Sequence, residues 1–184
     1  PSPLKDDGYD IASFYGIHND YGLLEDFRMT VQELHRRGIK LIADLVVNHT
    51  SDQHPWFVDA RRSKDSAFRN YYVWNDNPDK LPETRIIFLD TEESNWAYDE
   101  RTEQYYWHRF YSSQPDLNYD NPKVQQAMLD VMKFWLDMGI DGFRVDAVPY
   151  LIEREGTINE NLPETHDYLK RMRALVDAHY PNAL

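Results

Sequence analysis

The 184-residue sequence predicts an α/β fold built on a parallel sheet, and three observations carry that reading. Helical and strand-like segments alternate along the chain, as they do in βα units. One strand segment, Gly38 to His49, is nearly continuous in apolar and β-branched residues, the pattern of a strand buried on both faces. The polar residues of two strand segments, Asp44, Asn48, His49, Arg144 and Asp146, collect in or just past their C-terminal parts, the active-site rim of a (β/α)8 barrel.

Taken in order, Leu24, Phe27, Val31 and Leu34 form one helical stripe closed by Gly38. The strand segment follows and ends in Asn48 and His49. Thr50 to Tyr119 is far longer than a normal βα loop and carries Trp56, Trp74, Trp96 and Trp107 with Tyr71, Tyr72, Tyr105, Tyr106 and Tyr111. Flat rings suit pyranose faces and also suit a small core, and most of these are expected in the core because aromatics dominate burial in small modules. His54 to Phe57 and Arg85 to Phe88 read as packing elements, while His108 and Arg109 can face either way. The next helix has Asn121 as N-cap and Pro122 at its first position, with Val124, Met128, Val131, Trp135 and Met138 on one face and Gly139 as stop. A second strand spans Ile140 to Ala147. Pro163 to Tyr180 is helical, with Leu169, Met172, Leu175 and Val176 inward and Lys170, Arg171 and Arg173 outward. Such alternation fits an open doubly wound sheet or a barrel. No Gly-x-Gly-x-x-Gly fingerprint or phosphate loop follows either strand, which favours the barrel.

Arg144 and Asp146 are one residue apart on a strand and so share a face. If that face is a cleft, the guanidinium keeps the carboxylate ionised and aims it at an electrophilic carbon. A structural ion pair at a strand end is the alternative.

Twenty Lys and Arg against 32 Asp and Glu give a net charge of -12, spread along the chain. This argues against nucleic acid or an anionic membrane as partner. No apolar run is long enough to span a bilayer, no signal peptide is visible, and there is no cysteine, which suits a cytoplasmic protein. A small-molecule ligand is expected, and a homo-oligomer is left open.

Asp44 to His49, Gln114 to Asn118 and Gly142 to Ala147 resemble, in order and spacing, three signature regions of the α-amylase superfamily, glycoside hydrolase family 13. Within it, Pro1 to Ile11, Tyr105 to Phe110, Val148 to Thr157 and Asn161 to Asp167 look most like the branch that isomerises maltose to trehalose by intramolecular α-glucosyl transfer. The resemblance implies part of a TIM barrel, about its strands three and four: residues 1–49 as barrel, 50–119 as an inserted subdomain, 120–184 as barrel again. It implies Asp146 as the nucleophile of a covalent glucosyl-enzyme, Arg144 as its orienting partner, and Asp6, Tyr9 and His49 around the transferred glucose. It also implies a structural calcium held by Asn48, Asp116, Glu153 and the carbonyls of Tyr150 and Leu151, with no organic cofactor. Without the resemblance these are polar residues scattered along the chain, unlike a sequence-local calcium loop. The acid that a retaining mechanism needs, and a later His-Asp pair, would lie beyond Leu184. The chain is therefore expected to be a central piece of a longer enzyme, inactive alone and with unpaired sheet edges. An α-glucosidase or oligo-1,6-glucosidase, and a non-catalytic sugar-binding scaffold, are the alternatives.

Overall fold

The computed structural model describes residues 1–184. Helix α1 runs Leu24–Arg36, and its start is held by the Asp26 carboxylate, which accepts from the Leu23 amide at 2.7 Å. Gly38, at φ 73°, turns the chain into strand β1, Ile42–Val46. A short helix α2, Pro55–Ala60, opens the long insertion, whose strands β2 (Trp74–Asn75), β3 (Trp96–Asp99) and β4 (Gln104–Trp107) pair antiparallel in the order β2-β4-β3. The chain then returns beside the end of β1, with His49 bridged to Asp116 and Tyr72 to Leu117. Helix α3, Pro122–Asp137, is capped by the Asn121 side chain on the Lys123 amide at 3.0 Å. Strand β5, Gly142–Asp146, and helix α4, Pro163–His179, complete the chain.

Strands β1 and β5 pair in parallel, with Asp44 opposite Arg144 and Val46 opposite Asp146. The two are separated by nearly a hundred residues of sequence, so the insertion and α3 together form the crossover that a parallel pair requires. The Asp141 carboxylate locks the start of the pair, accepting at 2.8 Å from the Leu41 amide and lying 2.8 Å from His35 Nε2.

The expectation of a strand buried on both faces holds for only part of β1. Leu45, Val46 and Val47 are buried, but Ile42 is 43% exposed and Asp44 is exposed. In this two-stranded sheet the helices cover the face carrying Leu45 and Val47. On the other face Ile42, Asp44 and Arg144 are exposed, while Val46 at the end of the strand is buried. Val124, Met128 and Val131 of α3 pack against the covered face as their spacing requires. In α4 the inward stripe is Thr165, Tyr168, Met172 and Val176, while Leu169 and Leu175 are half-buried. The residue that shifts the stripe is Tyr168, whose ring meets Tyr119 at 4.8 Å and whose hydroxyl donates to the Gln125 carbonyl at 3.1 Å. A tyrosine that finds a polar partner can be buried in place of a leucine.

One core joins the sheet to the insertion. Phe57, Tyr72, Tyr106 and Leu117 belong to the same apolar cluster as Leu45 and Met128. All nine insertion rings singled out above are buried or half-buried, so the packing reading holds for them. Arg85, by contrast, is exposed and ion-paired, because its guanidinium reaches Glu160 at 2.8 Å.

His54 caps α2 by accepting from the Trp56 amide at 3.1 Å, and it packs against Phe14 and Trp56 with 5% exposure. Burial pushes its pKa down from 6.5 to about 4. The unfolded chain takes up a proton near 6.5 that the folded chain refuses until about 4, so stability is present above 6.5 and is lost as pH falls through this window. Denaturant titrations across it should show about 1.4 kcal/mol less of that slope per pH unit in His54→Asn, which keeps a capping oxygen.

Candidate active site

The site is assembled where β1 and β5 end. Their register sets Asp44 beside Arg144, and one guanidinium nitrogen, Nη1, lies 3.1 Å from Asp44 Oδ1 and 3.0 Å from Asp146 Oδ1. Tyr9, from the N-terminal loop, donates its hydroxyl to the other Asp44 oxygen at 2.9 Å. The result is a row of phenol, carboxylate, guanidinium and carboxylate. Asp44, by its hydrogen bond and its charge, raises the pKa of Arg144, and Asp146 adds to the shift, so the cation is fixed between two anions. The same bond to Asp44 raises the pKa of Tyr9 and keeps it a neutral donor.

Asp146 is the less exposed carboxylate, 19% against 40% for Asp44. One of its oxygens is held by Arg144 Nη1 at 3.0 Å. A cavity of about 200 Å³ reaches Asp44 from below, but Phe14, Phe27, Trp135 and Phe143 make it apolar.

His49 lies on the same rim, close enough that the Asp146 charge acts on it. It is 2% exposed, its Nε2 is 3.1 Å from the Tyr9 carbonyl, and its ring lies 5.2 Å from that of Phe110. Burial lowers its pKa to about 4, so it is neutral at neutral pH. The contact to Tyr9 ties the N-terminal loop to the end of β1. Asp6 is held by Gln114, whose Nε2 donates to Asp6 Oδ2 at 2.8 Å.

Tyr9, His49, Arg144 and Asp146 are thus brought together, and Asp6 is tied to Tyr9 through its backbone carbonyl, which accepts from the Tyr9 amide at 2.8 Å. Asp44 is where the rim reading placed it, and only its partners are new, whereas Gln114 was not singled out from sequence. Gln114 lies in a recognised motif but gave no sign of its partner.

The residues expected around calcium can be tested for fit. Asn48 and Asp116 are each 1% exposed, and three buried acceptors, Asn48 Oδ1, Asp116 Oδ2 and Glu153 Oε1, have no hydrogen-bond partner. The Asn48 amide lies beside the Asp116 carboxylate, and the Asp116 charge acts on Glu153. Burial raises Asp116 to about 8 and Glu153 well above the carboxylate range. Two carboxylates fall short of a site made of His, Cys, Asp and Glu alone. With the Asn48 amide oxygen they make an all-oxygen set of unpartnered buried acceptors, the chemistry a hard divalent cation takes, so these three side chains fit. Leu151 is 1% exposed and caps the short 3-10 turn Val148–Tyr150 after β5, two residues before Glu153.

Across all 184 residues the chain matches the family described as the catalytic domain of alpha amylase. It is 61% identical over 180 residues to a trehalose synthase/amylase TreS of Mycolicibacterium smegmatis, covering 98% of this chain and 30% of that protein. Identity to an oligo-1,6-glucosidase of Bacillus cereus is 43% over 195 residues, covering 97% of this chain and 35% of that one. Among solved structures, a mutant of the trehalulose synthase MutB superposes with a TM-score of 0.90 at 38% identity, covering all of this chain and 35% of that one. The chain therefore spans about a third of the length of the proteins it matches.

Proposed function

The chain belongs to the alpha-amylase catalytic-domain family, and from that premise we propose that the intact protein isomerises maltose to trehalose. The observation that carries the chemistry is the Asp44–Arg144–Asp146 row. The degree of likeness to a trehalose synthase, 61% against 43% for an oligo-1,6-glucosidase, supports the isomerising branch over the hydrolytic one.

In this reading β1 and β5 are the third and fourth strands of a TIM barrel, residues 50–119 are a subdomain inserted between them, and residues 1–49 and 120–184 are barrel. Asp146 displaces glucose from maltose and forms a covalent glucosyl-enzyme, with inversion. The freed glucose turns and attacks the same carbon through its anomeric hydroxyl, with a second inversion, so the transferred carbon keeps its configuration. Arg144 holds one Asp146 oxygen, while Asp44 and Tyr9 fix the guanidinium. Tyr9, Asp6 and His49 surround the glucosyl unit. The proton donor comes from a later strand, about 5 Å from Asp146 as retention requires. Water must be kept from the glucosyl-enzyme, since hydrolysis gives two glucoses.

A calcium ion held by Asn48, Asp116, Glu153 and the carbonyls of Tyr150 and Leu151 supplies structural cross-linking, not chemistry. It ties the end of β1 to the chain returning from the insertion and to the loop after β5. The substrate is a small disaccharide. No helix is long and apolar enough to cross a membrane, and a cytoplasmic setting suits a chain without cysteine.

The test is incubation of the intact protein with maltose, separating trehalose from glucose over time. Trehalose as main product is expected. Glucose alone would replace the isomerase with an α-glucosidase, and no turnover would favour a sugar-binding scaffold.

A further inference from the structure

Arg109 is a buried cation that the glucosyl-transfer scheme does not use. Its side chain is fully buried, its Nη2 lies 3.2 Å from Glu160 Oε1, and its guanidinium sits 4.8 Å above the Tyr150 ring. Its backbone amide donates to Asp116 Oδ1 at 3.2 Å. Two of its nitrogens, Nε and Nη1, are buried without partners, as are Asp116 Oδ2 and Glu153 Oε1 nearby. Buried donors and acceptors of opposite charge normally close on one another, because leaving them apart is costly. Here the guanidinium forms its one close ion pair with Glu160 and none with Asp116 or Glu153. Its charge still acts on both. With Arg109 set against Glu160, Asp116 and Glu153 have no close cation of their own, and that is the place a divalent ion would take. Arg85, the other partner of Glu160, approaches from the solvent side with 63% exposure and is screened.

We propose that Arg109 is the resident counter-charge of a divalent-cation site: docked on Glu160 it leaves the Asn48, Asp116 and Glu153 oxygens to the metal, and released from Glu160 it competes for them. The inference rests on the metal reading of that cluster and adds the residue that sets its affinity.

The experiment uses the intact protein, freed of metal with a chelator, and measures calcium binding by calorimetry and thermal unfolding with and without calcium. Arg109→Met removes the competing cation. Calcium should bind about tenfold tighter, and melting should fall far more in chelator than in calcium. Glu160→Gln frees Arg109 to turn toward Asp116, and calcium should bind about tenfold more weakly. The two variants thus move affinity in opposite directions, which loss of a merely structural ion pair would not do. Weaker binding in both, or an equal drop in melting with and without calcium, overturns the proposal. Should Arg109→Met not fold, Glu160→Gln still decides, since unchanged or tighter binding contradicts it. A wild-type protein that binds no calcium would instead refute the metal reading itself, a separate result.

Discussion

Asp146→Asn in the intact protein is expected to lower turnover of maltose by about 10⁴-fold or more, with the fold and calcium response unchanged. The substitution is nearly isosteric and removes only the charge that attacks. The amide can still sit 3.0 Å from Arg144 Nη1, and Asp146 is the last residue of β5, so its backbone pairing is untouched. Stability should therefore hold within the range of ordinary surface changes, about 0.5 kcal/mol. Steady-state assay with maltose, alongside a melting curve, checks both halves. Activity within tenfold of wild type would remove Asp146 from the chemistry.

Arg144→Lys should cost about 10²- to 10³-fold in kcat/KM, the second largest effect. One guanidinium nitrogen now bridges Asp44 and Asp146 at 3.1 and 3.0 Å, and the planar cation keeps its charge at any working pH. A lysine is shorter in reach, more strongly hydrated, and presents a point charge in place of a fixed fork. Its ammonium falls short of the point that Nη1 occupies between the two carboxylates, so both contacts lengthen. Asp44→Asn, which leaves Arg144 with its charge but weakens its anchor and the Tyr9 bond, should show a smaller loss in the same direction. If Arg144→Lys were nearly silent while Asp44→Asn were severe, the row would be organised around Asp44 and Tyr9 instead.

What the sequence made legible follows from how locally each feature is encoded. The β1 and β5 strands, the α3 stripe and the Asn121-Pro122 start depend on neighbours within a few residues, and each is found where the spacing placed it. The pairing of Arg144 with Asp146 is likewise a local fact of strand geometry. Asp44 was legible as a charge on the rim, but its pairing with Arg144 comes from the parallel register, which joins residues a hundred positions apart. The hairpin of β3 and β4 was also hidden. Its turn carries Glu103 at φ 52° and is closed by the Asp99 carboxylate, which accepts from the Thr102 hydroxyl at 2.7 Å. No Asn-Gly or Asp-Gly pair announces it. In α4 the expected residues all meet the core, and what an apolar count could not register is Tyr168, which satisfies its hydroxyl inside it.

The fate of the glucosyl group is the most direct test. A slow-reacting fluorinated α-glucosyl fluoride, incubated with the intact protein, digested and read by mass spectrometry, should leave one glucosyl mass on the peptide containing Phe143-Arg144-Val145-Asp146, with fragmentation placing it on Asp146. A label on any other carboxylate, or complete turnover with no label on a protein that remains active, would contradict the account.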